Sequence, residues 1–203
     1  MHAIVLVGGF GTRLRPLTHT VPKSMLTVGN EPIITRLVRR LERCDVTTVT
    51  LALGFLPDPF LAAFPDGRCG RVELRYAVEP EPLDTAGAIR FAADFSGVDE
   101  TFLAFNGDVI CDVEVDTLVA EHRRTGAAAT IHLTPVPDPS AFGVVETDRD
   151  GRVRRFVEKP PPGVTDSNLI NGGIYVMEPT VLAAAGELYG MATDDYWIDV
   201  AML

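Results

Sequence analysis

The chain contains little lysine and no run of basic residues. Of its 18 basic side chains, 16 are arginine, and lysine occurs only at Lys23 and Lys159. The 28 acidic residues give a net charge of -10. An acidic chain without a basic cluster repels polyanions, so binding to nucleic acid or to an anionic membrane is not expected. Because lysine and arginine differ in shape and charge density, both lysines are candidates for a specific role, and codon bias explains them equally well.

Cysteine and long apolar segments are also scarce. Cys44, Cys69 and Cys111 are widely spaced and form no Cys-x-x-Cys pair, so neither a disulfide framework nor a zinc site is expected, and a cytoplasmic location is predicted. No apolar run approaches the roughly 18 residues that cross a bilayer. The N-terminus has no basic segment ahead of its first apolar run, so a signal peptide is not expected.

Hydrophobic periodicity predicts alternating strands and helices. Strands are expected at 4–7, 46–53, 72–78, 101–105, 128–133 and 169–177, and helices at 33–41, at 85–95 and from Asp116 to Gly126. Asn30 and Asp116 are the expected helix caps, and Asp150-Gly151 predicts a hairpin. The pattern predicts an α/β fold with a mostly parallel sheet and helices on both faces, in one domain over 1–203.

A glycine loop follows the first predicted strand. Its glycines and nearby cations are Gly8, Gly9, Gly11, Arg13, Arg15 and Lys23. Glycine lets backbone N–H groups approach an anion, and ligands of α/β sheets bind at the carboxyl ends of strands. Leu14 stands where a dinucleotide fingerprint has its third glycine, and no Gly-Lys-Ser/Thr triplet forms a P-loop. Three positive charges in an acidic chain favour phosphate binding over a plain tight turn.

Two carboxylates are candidate metal ligands. Asp108 follows the strand predicted at 101–105, where a carboxylate suits Mg²⁺, although it equally suits a turn cap. Asp112 is the nearest competing carboxylate. Asp199 lies beside Trp197, the only tryptophan, and the alternative there is a packed strand with an exposed aspartate.

Two later motifs place polar residues on predicted strands. Glu158 and Lys159 end a strand before a proline loop, where the alternative to a ligand contact is a surface ion pair of small energetic value. Asn171 precedes Gly172 and Gly173, and close packing explains these glycines as well as ligand binding does.

Together the motifs resemble the sugar-1-phosphate nucleotidyltransferase family, most closely its mannose-1-phosphate guanylyltransferase branch. They occur in family order over nearly the whole chain: LVGGFGTRLRPLT…PK (6–23), EPEPLDTAGAI (79–89), FNGDVICD (105–112), FGVVETDRDGRVRRFVEKP (142–160), NGGIYV (171–176) and YWIDV (196–200). The resemblance implies a Rossmann-like α/β/α sandwich with a mixed, mostly parallel sheet. It also implies an Mg²⁺-dependent enzyme that joins an NTP, preferably GTP, to a sugar 1-phosphate, preferably mannose 1-phosphate.

The resemblance also implies roles for particular residues. The nucleotide would contact Leu6, Gly8, Gly9, Gly11, Thr12, Arg13, Lys23 and Gly87. The sugar phosphate would contact Gly143, Glu158, Lys159 and Asn171. Asp108 and Asp199 would hold the metal ion, and Arg13, Lys23 and Asp108 would be catalytic. The alternatives are a dTTP- or UTP-dependent glucose-1-phosphate enzyme and a non-catalytic, nucleotide-sugar-binding regulator, and the resemblance leaves a homo-oligomer open.

The chain departs from the family pattern at two places. Asp84 replaces the glycine that usually begins the Gly-Thr-Ala-Gly motif of the base-site loop, so strain is expected if this position has a positive φ. The segment between Met177 and Tyr196 is shorter than in the family, which leaves open whether Asp199 lies near Asp108. A C-terminal β-helix domain is not expected.

Overall fold

The computed structural model describes residues 1–9, 11–54, 57–183 and 188–199, so Phe10 and Val200 of the quoted motifs lie outside the described residues. The chain divides into two compact units. Unit 1 comprises Met1–Ile110 and Ile198–Leu203, and unit 2 comprises Cys111–Trp197. The single domain expected over 1–203 stays a prediction.

Unit 1 is built on a parallel sheet. Its elements in chain order are β1 (His2–Leu6), β2 (Thr27–Val28), β3 (Glu31–Pro32), α1 (Ile33–Arg43), β4 (Thr48–Leu53), α2 (Asp58–Ala63), β5 (Arg68–Cys69), β6 (Val72–Val78), α3 (Asp84–Ser96), β7 (Phe102–Asn106) and β8 (Val109–Cys111), of which β8 continues into unit 2. The strand order is β7-β1-β4-β6-β5, in which β5 alone of these strands runs antiparallel to its neighbour. This parallel sheet confirms the α/β class.

The register of β1 brings three loops to one edge of that sheet. Leu6 pairs with Ala52 on one side and with Asn106 on the other. The loops that begin after β1, β4 and β7 therefore leave the sheet side by side. The centres of β1, β4 and β7 are mainly apolar, as expected for central parallel strands covered on both faces. In β1, Ala3, Ile4 and Val5 have no exposed surface.

The glycine at position 107 packs directly against β1 and the residue that follows it. An ideal Cβ there would lie 2.5 Å from Val7 Cγ1 and 2.9 Å from the Leu6 carbonyl oxygen. We expect Gly107→Ala to lower the free energy of unfolding by about 1–3 kcal/mol, because the added methyl group has to displace packed atoms. Urea unfolding measures this loss. Gly9→Ala is the matched control, since its ideal Cβ has no described atom within 4 Å, and an equal loss in both variants would contradict the steric explanation.

The first helix has the predicted faces but a different beginning. Ile33, Ile34, Leu37, Val38 and Leu41 are buried, as their spacing predicts. The prediction that Asn30 caps this helix is wrong, because Glu31 and Pro32 form β3, which pairs with β2, and Pro32 directly precedes the helix.

Unit 2 combines antiparallel strands with one parallel pair. Its elements are α4 (Val115–Thr125), β9 (Ala129–Pro135), β10 (Gly143–Thr147), β11 (Val153–Glu158), β12 (Leu169–Met177), β13 (Leu188–Ala192) and β14 (Trp197–Asp199), of which β14 continues into unit 1. The strand order is β11-β10-β12-β9-β13, and only the β13–β9 pair among these is parallel. The predicted hairpin at Asp150-Gly151 is confirmed by the pairing of β10 with β11.

The ends of α4 confirm one prediction and correct another. Gly126 ends the helix in the left-handed conformation, with φ 61°. Glu114, not Asp116, occupies the N-cap position, and Asp116 lies in the first turn. A carboxylate in that turn still interacts favourably with the helix dipole. Every helix in the described ranges is too short or too polar to cross a bilayer.

Candidate active site

A cavity of about 280 Å³ lies beside the glycine loop in unit 1. It includes eight of the predicted site residues: Leu6, Gly9, Gly11, Thr12, Arg13, Lys23, Asp108 and Asp199. Val7, Ser24 and Gly107 also line it, and the sequence did not single out the first two. The cavity therefore collects cationic, anionic and glycine positions from four separate parts of the chain: 6–13, 23–24, 107–108 and Asp199.

The centre of this cavity is an ion-paired lysine. Lys23 Nζ donates to Asp108 Oδ2 at 2.8 Å and to Asp199 Oδ1 at 2.6 Å. The lysine residue is only 8% exposed, and a buried ammonium group is stable only when such partners compensate for its lost hydration. Because both carboxylates contact one nitrogen atom, Asp199 does lie close to Asp108, which answers the question raised by the shortened segment.

Three kinds of local structure bring these groups together. Pro22 precedes the 3₁₀ turn Lys23–Met25, whose first residue is the lysine. Asp108 lies in the turn between β7 and β8, and Asp199 ends β14. The strands β8 and β14 pair with each other, so the two aspartates flank one short two-stranded sheet.

The glycine loop is fixed by a buried threonine. Gly11 has φ 56°, a conformation that favours glycine, and its carbonyl oxygen accepts a hydrogen bond from Thr18 Oγ1 at 2.6 Å. An ideal Cβ at Gly11 would lie 2.9 Å from Thr18 Cγ2. Arg13 lies in the 3₁₀ turn that follows and is exposed. Gly11 is therefore held against Thr18, while Arg13 stays accessible to a ligand.

A second cavity, also of about 280 Å³, adjoins the first in unit 1. Leu6 and Gly9 line both cavities. The remaining lining residues are Gly8, Gly54, Glu79, Pro82, Leu83, Asp84, Thr85 and Ala88. Gly87, predicted to lie near the base, is next to Ala88 on α3, and its ideal Cβ would lie 3.0 Å from Leu83 Cβ.

The two carboxylates of the second cavity have different surroundings. Glu79 is half-buried, and its Oε2 accepts a hydrogen bond from the Leu83 backbone N–H at 3.2 Å. Asp84 is exposed and has φ 54°. This positive φ meets the condition under which backbone strain was expected at Asp84.

The backbone conformation of Asp84 leads to a stability prediction. In the left-handed region a Cβ costs about 1–2 kcal/mol, a penalty that glycine escapes and aspartate partly escapes. Since glycine also has more freedom to lose on folding, we expect Asp84→Ala to be less stable than Asp84→Gly by about 1 kcal/mol. Urea unfolding of both variants measures the difference. Glu81 is not among the left-handed residues, so Glu81→Ala should be more stable than Glu81→Gly. If alanine were the more stable replacement at both positions, or glycine at both, the left-handed conformation of Asp84 would not be the cause.

The predicted sugar-phosphate residues lie in unit 2. Gly143 and Glu158 are cross-strand partners in the β10–β11 hairpin, and an ideal Cβ at Gly143 would lie 3.0 Å from Glu158 Oε2. Lys159 has φ 46°, and its Nζ lies 3.4 Å from Glu158 Oε1. Both side chains are more than half exposed. The surface ion pair considered as the alternative therefore exists, and such a pair contributes little to stability.

Asn171 belongs to a hydrogen-bonded group on β12. Its Nδ2 donates to the Tyr175 hydroxyl at 2.8 Å, and its Oδ1 accepts from the Gly173 N–H at 3.0 Å. Burial raises the pKa of Tyr175, and the hydrogen bond from Asn171 offsets part of that rise, so the phenol is neutral near pH 7. The register shift between Asn171 and Tyr175 marks an irregular stretch of the β12–β9 pair.

Trp197 supports the same part of unit 2. Its Nε1 donates to the Gly172 carbonyl oxygen at 2.8 Å, and its ring meets Phe142 edge to face at a centroid distance of 5.9 Å. Gly172 also packs against His132, where a Cβ would overlap the imidazole ring. The close-packing explanation is therefore correct for Gly172, while Asn171 keeps a polar group at the surface of the strand.

The donor chemistry around Lys23 fits a magnesium ion. Mg²⁺ takes one or two protein carboxylates and completes its shell with water and substrate phosphates. Asp108 and Asp199 supply two carboxylates within reach of one cation. Within the described ranges, no group of three or more histidine, cysteine, aspartate or glutamate side chains is placed to hold a metal ion by itself. The two carboxylates thus match the number that such an ion takes from a protein.

A family model described as nucleotidyl transferase matches residues 2–200. The chain belongs to this nucleotidyl transferase family. The membership confirms the resemblance drawn from the motifs.

Relatives of the family agree with this placement. The chain is 38% identical over 222 residues to a mannose-1-phosphate guanyltransferase of Aspergillus oryzae, a match that covers 98% of this chain and 60% of that protein. It is 43% identical over 186 residues to a mannose-1-phosphate guanyltransferase of Schizosaccharomyces pombe, covering 90% of this chain and 51% of that protein. The chain therefore spans about half to three fifths of the length of the curated relatives it matches.

A solved structure shows the same family fold. The match is a Bacillus anthracis protein assigned as a glucose-1-phosphate thymidylyltransferase and crystallised with a sucrose. The two sequences are 25% identical and the two structures superpose with a TM-score of 0.87. The match covers 99% of this chain and 90% of the Bacillus anthracis chain. The likeness confirms the nucleotidyltransferase fold that the motifs predicted.

Several residues in or beside the two cavities were not predicted from the motifs. Thr18, Ser24 and Glu79 lie within or beside the quoted segments, yet nothing in their spacing distinguishes them from ordinary loop residues. Gly54 lies outside those segments. Gly8 and Gly54 each lie two residues after a cross-strand pair, Leu6 with Ala52, and these matching glycines are the one signal that was available.

Proposed function

We propose that this chain is a nucleotidyltransferase that joins an NTP to a sugar 1-phosphate and releases pyrophosphate. GTP and mannose 1-phosphate are the leading substrates, as in the names of its relatives. The observation that carries the proposal is the contact of Asp108 and Asp199 with Lys23 in a cavity beside the glycine loop. This arrangement supplies one cation and two metal-binding carboxylates where a triphosphate would bind.

The two adjoining cavities suit the two ends of a nucleotide. The first contains Arg13, Lys23 and the backbone of the glycine loop, all of which interact favourably with phosphate. The second contains apolar surface from Leu6, Pro82 and Leu83 together with two carboxylates, which suits a base. Because Leu6 and Gly9 belong to both, one ligand can extend from the first cavity into the second.

The carboxylates of the second cavity favour guanine over the other bases. Guanine presents adjacent N1–H and N2–H donors on one edge, and a carboxylate accepts two hydrogen bonds side by side. Glu79 uses one oxygen for the Leu83 N–H, and its Oε1 faces Gly8. Thymine and uracil present a single donor between two oxygens, so a carboxylate discriminates against them.

The guanine preference is testable at Glu79. We expect Glu79→Gln to lower kcat/KM for GTP by roughly 10–100-fold, because an amide group replaces an acceptor by a donor, a change worth about 1–3 kcal/mol at a base edge. The value for UTP should change much less. Glu81→Gln is the matched control, because Glu81 is an exposed residue of the same loop. Equal losses for GTP and UTP would contradict base recognition by Glu79.

Asp108 and Asp199 would hold the magnesium ion. When bound, the ion neutralises phosphate charge and acts as a Lewis acid on the reacting phosphate group. The chain's own contribution is to fix the two carboxylates, through the β8–β14 pair and the contact with Lys23.

The chemistry requires positioning more than acid–base catalysis. A phosphate oxygen of the sugar 1-phosphate attacks the α-phosphorus of the NTP; a P–O bond forms, the bond to the β-phosphate oxygen breaks, and pyrophosphate leaves. The nucleophile is already ionised near pH 7, so no protein group has to remove a proton. Arg13 and Lys23 would bind the triphosphate and oppose its repulsion of the second anion, which is how phosphoryl transfer is chiefly accelerated.

The residues of unit 2 would bind the sugar 1-phosphate. Lys159 supplies a cation for its phosphate, while Glu158 and Asn171 supply an acceptor and a donor for its hydroxyl groups. The amide nitrogen of Asn171 carries a second hydrogen besides the one donated to Tyr175. Gly143 keeps the space beside the Glu158 carboxylate open.

A pyrophosphate-release assay tests the proposed function. The purified chain would be incubated with Mg²⁺ and a panel of NTPs and sugar 1-phosphates, and GTP with mannose 1-phosphate should give the highest rate. Background rates with every pair would overturn the proposed activity. If GDP-mannose nevertheless binds, the chain is a non-catalytic regulator. We also propose a cytoplasmic location, because the sequence has only three cysteines, which are widely spaced and form no Cys-x-x-Cys pair.

A further inference from the structure

Lys23 has two competing sets of anionic partners: the carboxylates of Asp108 and Asp199, and the triphosphate of a bound nucleotide. In the structure its ammonium group contacts both carboxylates that the proposed function assigns to the metal ion. The same function requires this ammonium group to interact with the triphosphate. Two of its three N–H donors already serve the carboxylates, so at most one remains for a phosphate group. The metal ion would need the same carboxylates, so the contacts in the structure belong to the protein without metal ion and nucleotide.

We propose that Lys23 is an internal counter-cation, which occupies the metal-binding carboxylates until a divalent cation and a nucleotide displace it together. The inference rests on the proposed function. A metal ion alone has to compete with a bound ammonium group for the same oxygens, and it leaves that group buried without a partner. A nucleotide supplies the new partner, because its phosphates accept the released lysine.

The hydroxyl group of Ser24, next to Lys23, also indicates that the site changes when a ligand binds. Ser24 is 2% exposed, lines the same cavity, and its hydroxyl has no hydrogen-bond partner among the described residues. Buried hydroxyl groups in folded proteins are nearly always paired, so an unpaired one beside Lys23 indicates that this turn makes further hydrogen bonds in another state. Lys23 and Ser24 begin the same 3₁₀ turn, so a shift of one side chain affects the other.

Displacement of this kind makes metal and nucleotide binding mutually dependent. The metal ion releases Lys23 from the carboxylates, and the nucleotide phosphates bind the released lysine, so each ligand makes binding of the other more favourable. Such coupling is reciprocal by thermodynamic necessity. We therefore expect Mn²⁺, as a probe for Mg²⁺, to bind weakly to the free protein and more tightly when GTP is present. Couplings of this type commonly amount to roughly 5–150-fold in affinity.

The first experiment measures Mn²⁺ binding to the wild-type chain and to Lys23→Met, without nucleotide, from the electron paramagnetic resonance signal of free Mn²⁺. Removing the competing ammonium group should tighten Mn²⁺ binding about tenfold or more, within the usual range of such couplings. Lys159→Met is the matched control, since it removes the other lysine and the same charge, and its affinity should stay at the wild-type value. Unchanged Mn²⁺ affinity in Lys23→Met would overturn the inference.

The second experiment uses only the wild-type chain, so it does not depend on a variant that folds. Because the chain has two lysines, labelling them with ¹⁵N gives two side-chain ammonium resonances. Mg²⁺ with GTP should shift the Lys23 resonance at metal concentrations where Mg²⁺ alone leaves it in place. An equal shift with Mg²⁺ alone at those concentrations would overturn the inference.

Thermal unfolding separates this inference from the proposed function. If Mg²⁺ and GTP raise the unfolding midpoint of the wild type while Mn²⁺ affinity is indifferent to Lys23, the nucleotide site stands and the counter-cation role is wrong. If Mg²⁺ with any NTP leaves the midpoint unchanged, the nucleotide site and the inference are both wrong, because a specific ligand of the folded state must stabilise it.

Discussion

Asp199→Asn should lower the rate of pyrophosphate release by about 10²–10³-fold, the usual effect of removing one preorganised electrostatic group from a catalytic site. The substitution keeps the size of the side chain and removes one of the two carboxylates around Lys23. Lys23 retains Asp108 as a partner, so the fold should survive. The measurement is kcat with GTP, mannose 1-phosphate and Mg²⁺, together with a urea unfolding curve that verifies stability.

The C-terminal segment offers a matched control for this prediction. Asp194 is an exposed carboxylate five residues before Asp199. Asp194→Asn should therefore leave kcat within about twofold of the wild type, as surface substitutions away from a site usually do. If Asp199→Asn retains full activity, Asp199 serves only to neutralise Lys23, and the two-carboxylate metal site is wrong.

Lys159→Met should lower kcat/KM for the sugar 1-phosphate by about 10²-fold, because it removes a direct charged hydrogen bond to a phosphate group, worth roughly 1.5–3 kcal/mol. GTP affinity should be unchanged, since Lys159 is assigned to the other substrate. Methionine keeps the unbranched chain and retains the same Cβ at this left-handed position, so backbone strain is matched. Initial rates at varied sugar 1-phosphate and calorimetry with GTP provide the two readouts.

An exposed cation on the strand that precedes Lys159 serves as the control. Arg154 belongs to β11 and forms an ion pair with Asp148 at 2.6 Å. Arg154→Met should have little effect on kcat/KM. Normal activity in Lys159→Met would mean that its contact with Glu158 is only a surface ion pair, the alternative that the sequence left open.

The long strands were predictable because their apolar runs are bounded by clear turn residues. Strands β6 and β12 match their predicted ranges to the residue. The β10–β11 hairpin followed from Asp150-Gly151 between two apolar runs, since few residues other than glycine adopt the conformation such a turn needs. The elements missed are short: α2 has six residues, β13 five and β8 three. The pairing of β8 with β14 joins segments far apart in the chain, and no local pattern reports such a contact.

The helix starts were predicted less well than the helix faces. The apolar stripe of α1 follows directly from a 3.6-residue period. Its first residue depends on the β2–β3 pair, which takes Glu31 and Pro32 out of the helix. In the same way, Asp116 is a good cap by residue type, but α4 begins one residue earlier.

The sequence predicted which residues line the first cavity, but not which of their side chains contact one another. Glycines, lysines and aspartates in family order were enough to select the residues around the first cavity. The two bonds of Lys23 to Asp108 and Asp199 span 85 and 176 residues of sequence, and which anion a buried lysine prefers depends on the folded geometry. For Asp84 the resemblance predicted strain only on the condition of a positive φ, and the folded chain supplies that φ, 54°.

The contact between Gly8 and Gly54 limits how far the glycine loop can be treated as a portable motif. An ideal Cβ at Gly8 would lie 2.9 Å from the Gly54 backbone nitrogen, and one at Gly54 would lie 3.1 Å from the Gly8 carbonyl oxygen. The backbone at Gly8 can therefore lie where it does only because the residue beside it, Gly54, also lacks a side chain. A designer who grafts residues 6–23 onto another parallel sheet should carry over the glycine that follows the neighbouring strand, at the same register.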